Sequence, residues 1–228
     1  MNTPTCIALI PDGNRRWATK RNLPKIEGHM RGLHNFTTIA EAAFKAGIHH
    51  VVLWGASESN LQNREPVEVA YLFALLKDEL TRRLEGDEQV RFSLCGAWER
   101  YTTDDSLPAL VREVESKTAA HTERHLTLLF GYSGITELVE ATNRAAHVAL
   151  PVCRESIEAQ LWTRHLPPVD LIVRTGVEHD PHLSDSFLPW QTGNAQLIFS
   201  EKTWPDFSTD DLAIALADYD ARPRRKGA

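Results

Sequence analysis

Cysteine is scarce in this chain: Cys6, Cys95 and Cys153 are the only three among 228 residues. An odd number without metal-type spacing argues against a disulfide framework or a thiolate metal site, and points to buried thiols in a reducing compartment. No apolar run approaches membrane-spanning length, and the opening "MNTPTC" lacks the basic-then-apolar layout of a secretory leader. The expected location is therefore cytoplasmic, without integral membrane contact. Positive charge is not in excess either: 25 Lys and Arg against 31 Asp and Glu leave a formal charge of −6. That balance argues against nucleic acid as a partner, although local basic clusters could still hold a small anion. No repeat, low-complexity linker or shift of composition divides the chain, so residues 1–228 are expected to form a single domain.

What the chain does have is alternation. Six apolar, β-rich runs read as strands: 6–10, 50–56, 90–96, 126–132, 169–176 and 195–200. Helical patterns lie between them at 31–46, 66–84, 107–121, 134–147 and 155–165, with a last one at 209–221. Within 68–86, Val69, Leu72, Phe73, Leu76, Leu80 and Leu84 recur at three- and four-residue intervals, the mark of a helix burying one face. The order predicts an α/β fold with a central, mainly parallel sheet covered by helices on both faces.

In such a sheet, ligands bind outside the carboxyl ends of the strands. Polar segments fall there: "PDGNRR" (11–16), "SESNLQNR" (57–64), "GYSG" (131–134) and "RTGVEHDPHLSD" (174–185). Asp-Gly is also a turn dipeptide and Asn14 a capping residue type, with arginines able to sit on a solvent face. The functional alternative uses the same geometry. Backbone N–H groups at a helix start, with Arg15 and Arg16, suit a diphosphate. Asp12 can join such a site through Mg²⁺, which is commonly held by one or two carboxylates together with phosphate oxygens. His29, Arg64 and Arg174 fit the same site, although a lone His is more often an ordinary core or surface residue and a lone Arg at a strand end usually pairs with a nearby carboxylate.

Together these residues resemble a known family. "IALIPDGNRRWATKRNLPKIEGHMRG" is similar to the first signature of the cis-prenyltransferases, the family of undecaprenyl diphosphate synthase, and "VDLIVRTGVEH" and "WPDF" (204–207) resemble its later signature. The resemblance spans nearly the whole chain. It implies a homodimer and an apolar tunnel leading from a diphosphate site. Asp12 resembles the metal-handling aspartate, and Asn14, Arg16, His29, Arg64 and Arg174 resemble groups around an allylic diphosphate. Trp17 and Asn60 also match family positions. The resemblance thus gives Asp12, Asn14 and Arg174 as catalytic, and Gly13, Arg15, Arg16, Trp17, His29, Asn60, Arg64, His182 and Ser184 as substrate-binding. Asp12 is the implied ligand of Mg²⁺. The basic end "RPRRKGA" (222–228) is either a solvated tail or a segment closing over a partner's diphosphate.

The departures are informative. Elongating members usually follow "RTGGEH" with Arg-x-Ser, which holds the diphosphate of isopentenyl diphosphate; here "VEHDPHLSDSF" has no arginine. His182 stands near the arginine's place, and Ser184 or Ser186 near the serine's. Gln196 replaces a metal-binding glutamate, and "LLFGYSGI" replaces Asn-Tyr-Gly-Gly-Arg. Tyr71 and Phe73 are bulky enough to close a tunnel early, or simply pack in the core. The expected activity is transfer of a short prenyl group, dimethylallyl above all, from its diphosphate to a small-molecule acceptor other than isopentenyl diphosphate. That acceptor is a small aromatic compound or a second allylic diphosphate. The alternatives are ordinary cis elongation with isopentenyl diphosphate, a non-catalytic partner subunit, or a relative that cyclises or hydrolyses its diphosphate.

Overall fold

Each of the six apolar runs becomes a strand: β1 (Cys6–Ile10), β2 (His50–Ser57), β3 (Arg91–Cys95), β4 (His125–Tyr132), β5 (Leu171–Arg174) and β6 (Gln196–Phe199). The computed structural model describes residues 2–86, 89–148, 150–184 and 186–223; residues 224–228 of the basic tail lie outside the described residues. The strands form one sheet in the order β3-β4-β2-β1-β5-β6, and every pairing is parallel. β1 is buried along its whole length, as a strand covered on both faces must be. Its side chains alternate: Ile7 and Leu9 join one hydrophobic cluster, and Cys6, Ala8 and Ile10 join the other.

The larger cluster is closed by α2 (Lys25–Lys45), α4 (Pro66–Glu85), α5 (Leu107–Thr118) and α8 (Thr209–Ala221), through residues such as Phe36, Leu76, Val111 and Leu212. Two short helices follow strand ends, α1 (Asn14–Lys20) and α3 (Glu58–Asn63). α2 begins at Lys25, six residues before the expected start, with Pro24 at its cap. Behind the second cluster lies α6 (Gly134–Val148), fastened by Tyr132, whose hydroxyl donates to Glu137 at 2.6 Å. The helix expected over 155–165 shrinks to α7 (Arg154–Glu158). Beyond it the chain covers the sheet without regular structure, because Thr163 gives both its N–H and its hydroxyl to the Glu137 carboxylate, each at 2.8 Å. A side chain of α6 thus replaces the helical ladder.

The edge strand β3 does not leave its backbone bare. Phe92 N–H donates to Thr118 Oγ1 at 3.1 Å and Leu94 N–H to Glu115 Oε1 at 2.9 Å, so α5 covers an edge that would otherwise invite pairing. The chain leaves β1 toward β2 on one side of the sheet, and β5 toward β6 on the other. A crevice therefore opens between the carboxyl ends of β1 and β5, where Ile10 is in register with Arg174.

Candidate active site

Asp12, two residues beyond β1, sits in that crevice. Its carbonyl accepts from the Thr175 hydroxyl and from Trp204 N–H, both at 2.9 Å, so the backbone is pinned while the side chain stays 40% exposed. Gly13 N–H donates to Oδ1 at 2.6 Å, Arg16 Nη2 lies 3.0 Å from Oδ1, and Arg174 donates to Oδ2 at 3.2 Å. Gly13 has φ 101°, and a Cβ there would come within 2.8 Å of the Thr203 side chain. Only glycine allows this turn so close to its neighbour.

The two arginines are aimed by different devices. Arg174 is 5% exposed; its Nη1 donates to the His182 carbonyl and to Ser184 Oγ at 2.9 Å. Arg16 donates to the Gly176 carbonyl at 2.6 Å and pairs with Glu178 at 2.8 Å. Burial opposes the charge of Arg16, but Glu178 and Asp12 together raise its pKa above the ordinary value, so the guanidinium stays charged.

A second group is organised by Glu68, on the first turn of α4. Its Oε1 meets His29 Nε2 at 2.9 Å, Arg64 Nη1 at 3.2 Å and Arg15 Nε at 3.8 Å. Burial works against the Glu68 carboxylate, yet the hydrogen bond to His29 and the charges of Arg64 and Arg15 hold its pKa below the usual range. His29 is itself buried; desolvation lowers its pKa despite Glu68, with Arg64 and Arg15 adding to the effect, and the ring is neutral near pH 7. Arg64 also donates to Asn60 Oδ1 at 2.8 Å, which fixes both residues at the end of α3. α2 can bring His29 this close because Gly28 lies against α1: a Cβ there would stand 2.1 Å from the Asn14 carbonyl oxygen.

These residues border a cleft of about 640 Å³ whose walls include Asp12, Gly13, Asn14, Arg15, Arg16, His29, Asn60, Arg64, Arg174 and Ser184. Asn14 Oδ1 is buried without a partner among the described residues. A smaller apolar cavity of about 80 Å³ shares Pro11, Asn14, His29 and Gly55 with the cleft and runs between the sheet and α4, past Phe36, Leu72, Leu76 and Phe130. It is smaller than the roughly 150 Å³ that receives a benzene ring in an engineered protein cavity. Tyr71 and Phe73 do not line it; Phe73 instead packs edge-on against Phe130, with ring centroids 5.2 Å apart.

Two expected substrate groups are not brought to the cleft by their rings. Trp17 donates its indole N–H to Asp206 at 2.8 Å and carries Arg21 over its face, fastening α1 to the segment Trp204–Asp206. The His182 imidazole turns to Asp180, 3.1 Å from Oδ2, and only its carbonyl serves the site by holding Arg174. Of the two candidate serines, Ser184 faces Arg174. Gln196 stands on β6 with Oε1 buried and unpartnered among the described residues. The expectation missed Glu68, Glu178 and Trp54, the last of which lines the cleft. Glu68 had a signal, since it lies four residues after Arg64 at the spacing of a helical ion pair.

Residues 10–227 match the family profile of undecaprenyl diphosphate synthases. An isoprenyl transferase of Treponema denticola is 35% identical over 224 residues, 97% of this chain and 96% of the relative. A ditrans,polycis-undecaprenyl-diphosphate synthase of Pseudomonas aeruginosa, specific for (2E,6E)-farnesyl diphosphate, is also 35% identical, over 98% of this chain and 90% of its own. Among solved structures, lavandulyl diphosphate synthase from Lavandula x intermedia in complex with dimethylallyl diphosphate superposes with a TM-score of 0.89 at 30% identity, covering 99% of both chains.

Proposed function

The chain belongs to the undecaprenyl diphosphate synthase family of cis-prenyltransferases, and on that premise we propose that it transfers a short prenyl group, dimethylallyl above all, from its diphosphate to an acceptor other than isopentenyl diphosphate. The observation that supports the short donor is the apolar cavity of about 80 Å³ beside the cleft, a volume on the scale of a few carbon atoms rather than of a polyprenyl chain. The likeness to a lavandulyl diphosphate synthase holding dimethylallyl diphosphate supports the same reading.

In this reading the diphosphate lies among Arg15, Arg16, Arg64 and Arg174, whose charge-assisted hydrogen bonds strengthen as negative charge collects on the leaving group. The Asn14 amide, whose oxygen has no partner among the described residues, can rotate to offer its NH₂ to a phosphate oxygen. Among the described residues no three His, Cys, Asp or Glu side chains gather as a ready-made metal site. Asp12, partly exposed in the cleft, suits the other mode, in which one carboxylate and phosphate oxygens share a hard cation. Mg²⁺ bound there would neutralise part of the diphosphate charge and favour departure. The allylic carbon gains positive charge as the diphosphate leaves, and the aromatic residue Trp54, packed on Phe187 with ring centroids 5.0 Å apart, lines the cleft there.

The acceptor side is read from charge. Between Arg174 and Lys202 the sequence has no Lys or Arg, and Lys202 is engaged by Asp211 at 2.7 Å. A second diphosphate would need cations to replace its hydration, whereas an aromatic ring or an alkene needs mainly apolar surface. A homodimer completes the reading. Ordinary elongation with isopentenyl diphosphate is the second reading, and the names of the curated relatives favour it. Purified protein with Mg²⁺ and dimethylallyl, geranyl or farnesyl diphosphate, each alone and with isopentenyl diphosphate, separates the two by the mass of the products. Conversion of dimethylallyl diphosphate without isopentenyl diphosphate supports the first; a cis-elongated series made only when isopentenyl diphosphate is added supports the second.

A further inference from the structure

We propose that the groove along the outer edge of β3 is a second ligand site, which takes a small phosphate-bearing anion of two or more negative charges through Arg91, Arg112 and Arg164. The groove has a volume of about 730 Å³ and shares no lining residue with the cleft. That size is ordinary for a small-ligand site. Three elements bring the arginines to it: β3 supplies Arg91, α5 supplies Arg112, and the chain after α7 supplies Arg164 together with His165. Among the described residues none of these three guanidiniums lies within ion-pairing distance of a carboxylate, and Arg164 donates only to the Leu161 carbonyl of its own turn, at 3.3 Å. In the cleft, by contrast, Arg16, Arg64 and Arg174 each meet a carboxylate.

The glutamates on the groove's walls leave this charge largely open. Glu140 is engaged by Arg100 and, at 3.1 Å, by Arg144. Glu115 accepts Leu94 N–H at 2.9 Å, and burial holds its carboxyl above the usual range although that hydrogen bond, Arg91 and Arg164 work the other way. Glu99 is exposed to solvent. His165 registers the resulting field. Its Nε2 stands 2.9 Å from Thr127 Oγ1 on β4; burial, then Arg91, Arg164 and His125, push its pKa down to about 4, against a hydrogen bond with the Trp162 backbone. The ring is neutral at pH 7, and a potential that repels its proton attracts an anion. In a chain of net charge −6, three unneutralised guanidiniums on one groove reverse the sign locally. Guanidiniums meet phosphate oxygens through paired, charge-assisted hydrogen bonds, so several on one groove suit a multiply charged phosphate.

The test follows the imidazole NMR signals of His165, identified by their loss in His165→Gln, while inorganic diphosphate or adenosine diphosphate is added to the full chain at pH 7 without Mg²⁺. Reading His165 keeps the groove apart from the cleft, where a diphosphate is expected as well, so the result does not depend on the prenyl-transfer reading. Inorganic diphosphate should move these signals saturably, with a Kd below about 1 mM. Tighter binding of adenosine diphosphate assigns the groove to a nucleotide, and equal binding to the diphosphate group alone. Arg91→Gln/Arg112→Gln/Arg164→Gln should weaken binding at least about tenfold while the KM for the allylic donor stays within about twofold. Arg112→Gln alone, at an exposed helical position, should weaken it about threefold and serves if the triple variant fails to fold. Signals that drift without saturating, or folded variants that bind as the unaltered protein does, would overturn the site.

Discussion

One wall of the cleft, built from residues 12–68, presents Arg15, Arg16, His29 and Arg64, tied together by Asp12 and Glu68; across from it lie Arg174 and Ser184, and the sequence from Val177 to Phe199 contains no Lys or Arg. The difference extends to how each wall is built. On the first, Arg16 and Arg64 are aimed by a carboxylate or an amide within hydrogen-bond reach, while Arg15 stands 3.8 Å from Glu68. On the second, His182 contributes a carbonyl and Ser184 a hydroxyl, and both serve to hold Arg174. One side is prepared to receive a diphosphate, and the other lacks the charge to receive a second. Two diphosphates in one site need two sets of cations, and among the described cleft residues only the first wall gathers such a set.

The comparison breaks most sharply at Asp12. Asp12→Ala should lower turnover about a thousandfold or more with little change in melting temperature, because a 40% exposed carboxylate contributes little to the fold. Steady-state rates at saturating Mg²⁺, beside a thermal melt, check it, and unchanged turnover would remove Asp12 from the chemistry. Arg16→Ala and Arg174→Ala should each weaken binding of an allylic thio-diphosphate by about 1.5–3 kcal/mol, a factor of roughly 10 to 150 in Kd. Calorimetry reads this directly; Arg174→Ala should also lower the melting temperature, since its guanidinium anchors the chain at His182 and Ser184.

Supplying charge to the poor wall tests the comparison from the other side. His182→Arg combined with Gln196→Glu should raise incorporation of radiolabelled isopentenyl diphosphate by about tenfold and reduce transfer to the native acceptor. No change in either would show that charge does not set the choice of acceptor. The smallest effect belongs to Trp17. Since its ring faces Asp206 and Arg21, Trp17→Phe should leave the donor KM within about twofold while lowering the melting temperature, the loss of one hydrogen bond being worth roughly 1 kcal/mol.

Much of this was legible in the sequence because strands and cleft share one cause. Six apolar runs alternating with helices require a parallel sheet, and its carboxyl ends then gather the loops that carry Asp12, Arg64 and Arg174. The resemblance to prenyltransferase signatures named most of the cleft's residues. What escaped were side chains whose role depends on a distant partner. Thr163 lies in a stretch with a helical pattern, and only the fold shows that Glu137, 26 residues earlier, takes its N–H. Trp17 matches a family position, yet Asp206, 189 residues away, decides where its ring points. The same holds for Glu68, whose buried carboxylate sets the positions of His29 and Arg64 together.

The most direct test of the unequal walls is a pair of titrations with Mg²⁺ present: dimethylallyl thio-diphosphate, which resists ionisation, and isopentenyl diphosphate, each into the unaltered protein alone and after saturation with the other. Unequal charge predicts micromolar binding of the allylic ligand at one site per chain, and isopentenyl diphosphate at least about a hundredfold weaker once that site is filled. Isopentenyl diphosphate binding at micromolar concentration to the protein already saturated with the allylic ligand would contradict it, and would make ordinary cis elongation the function of this chain.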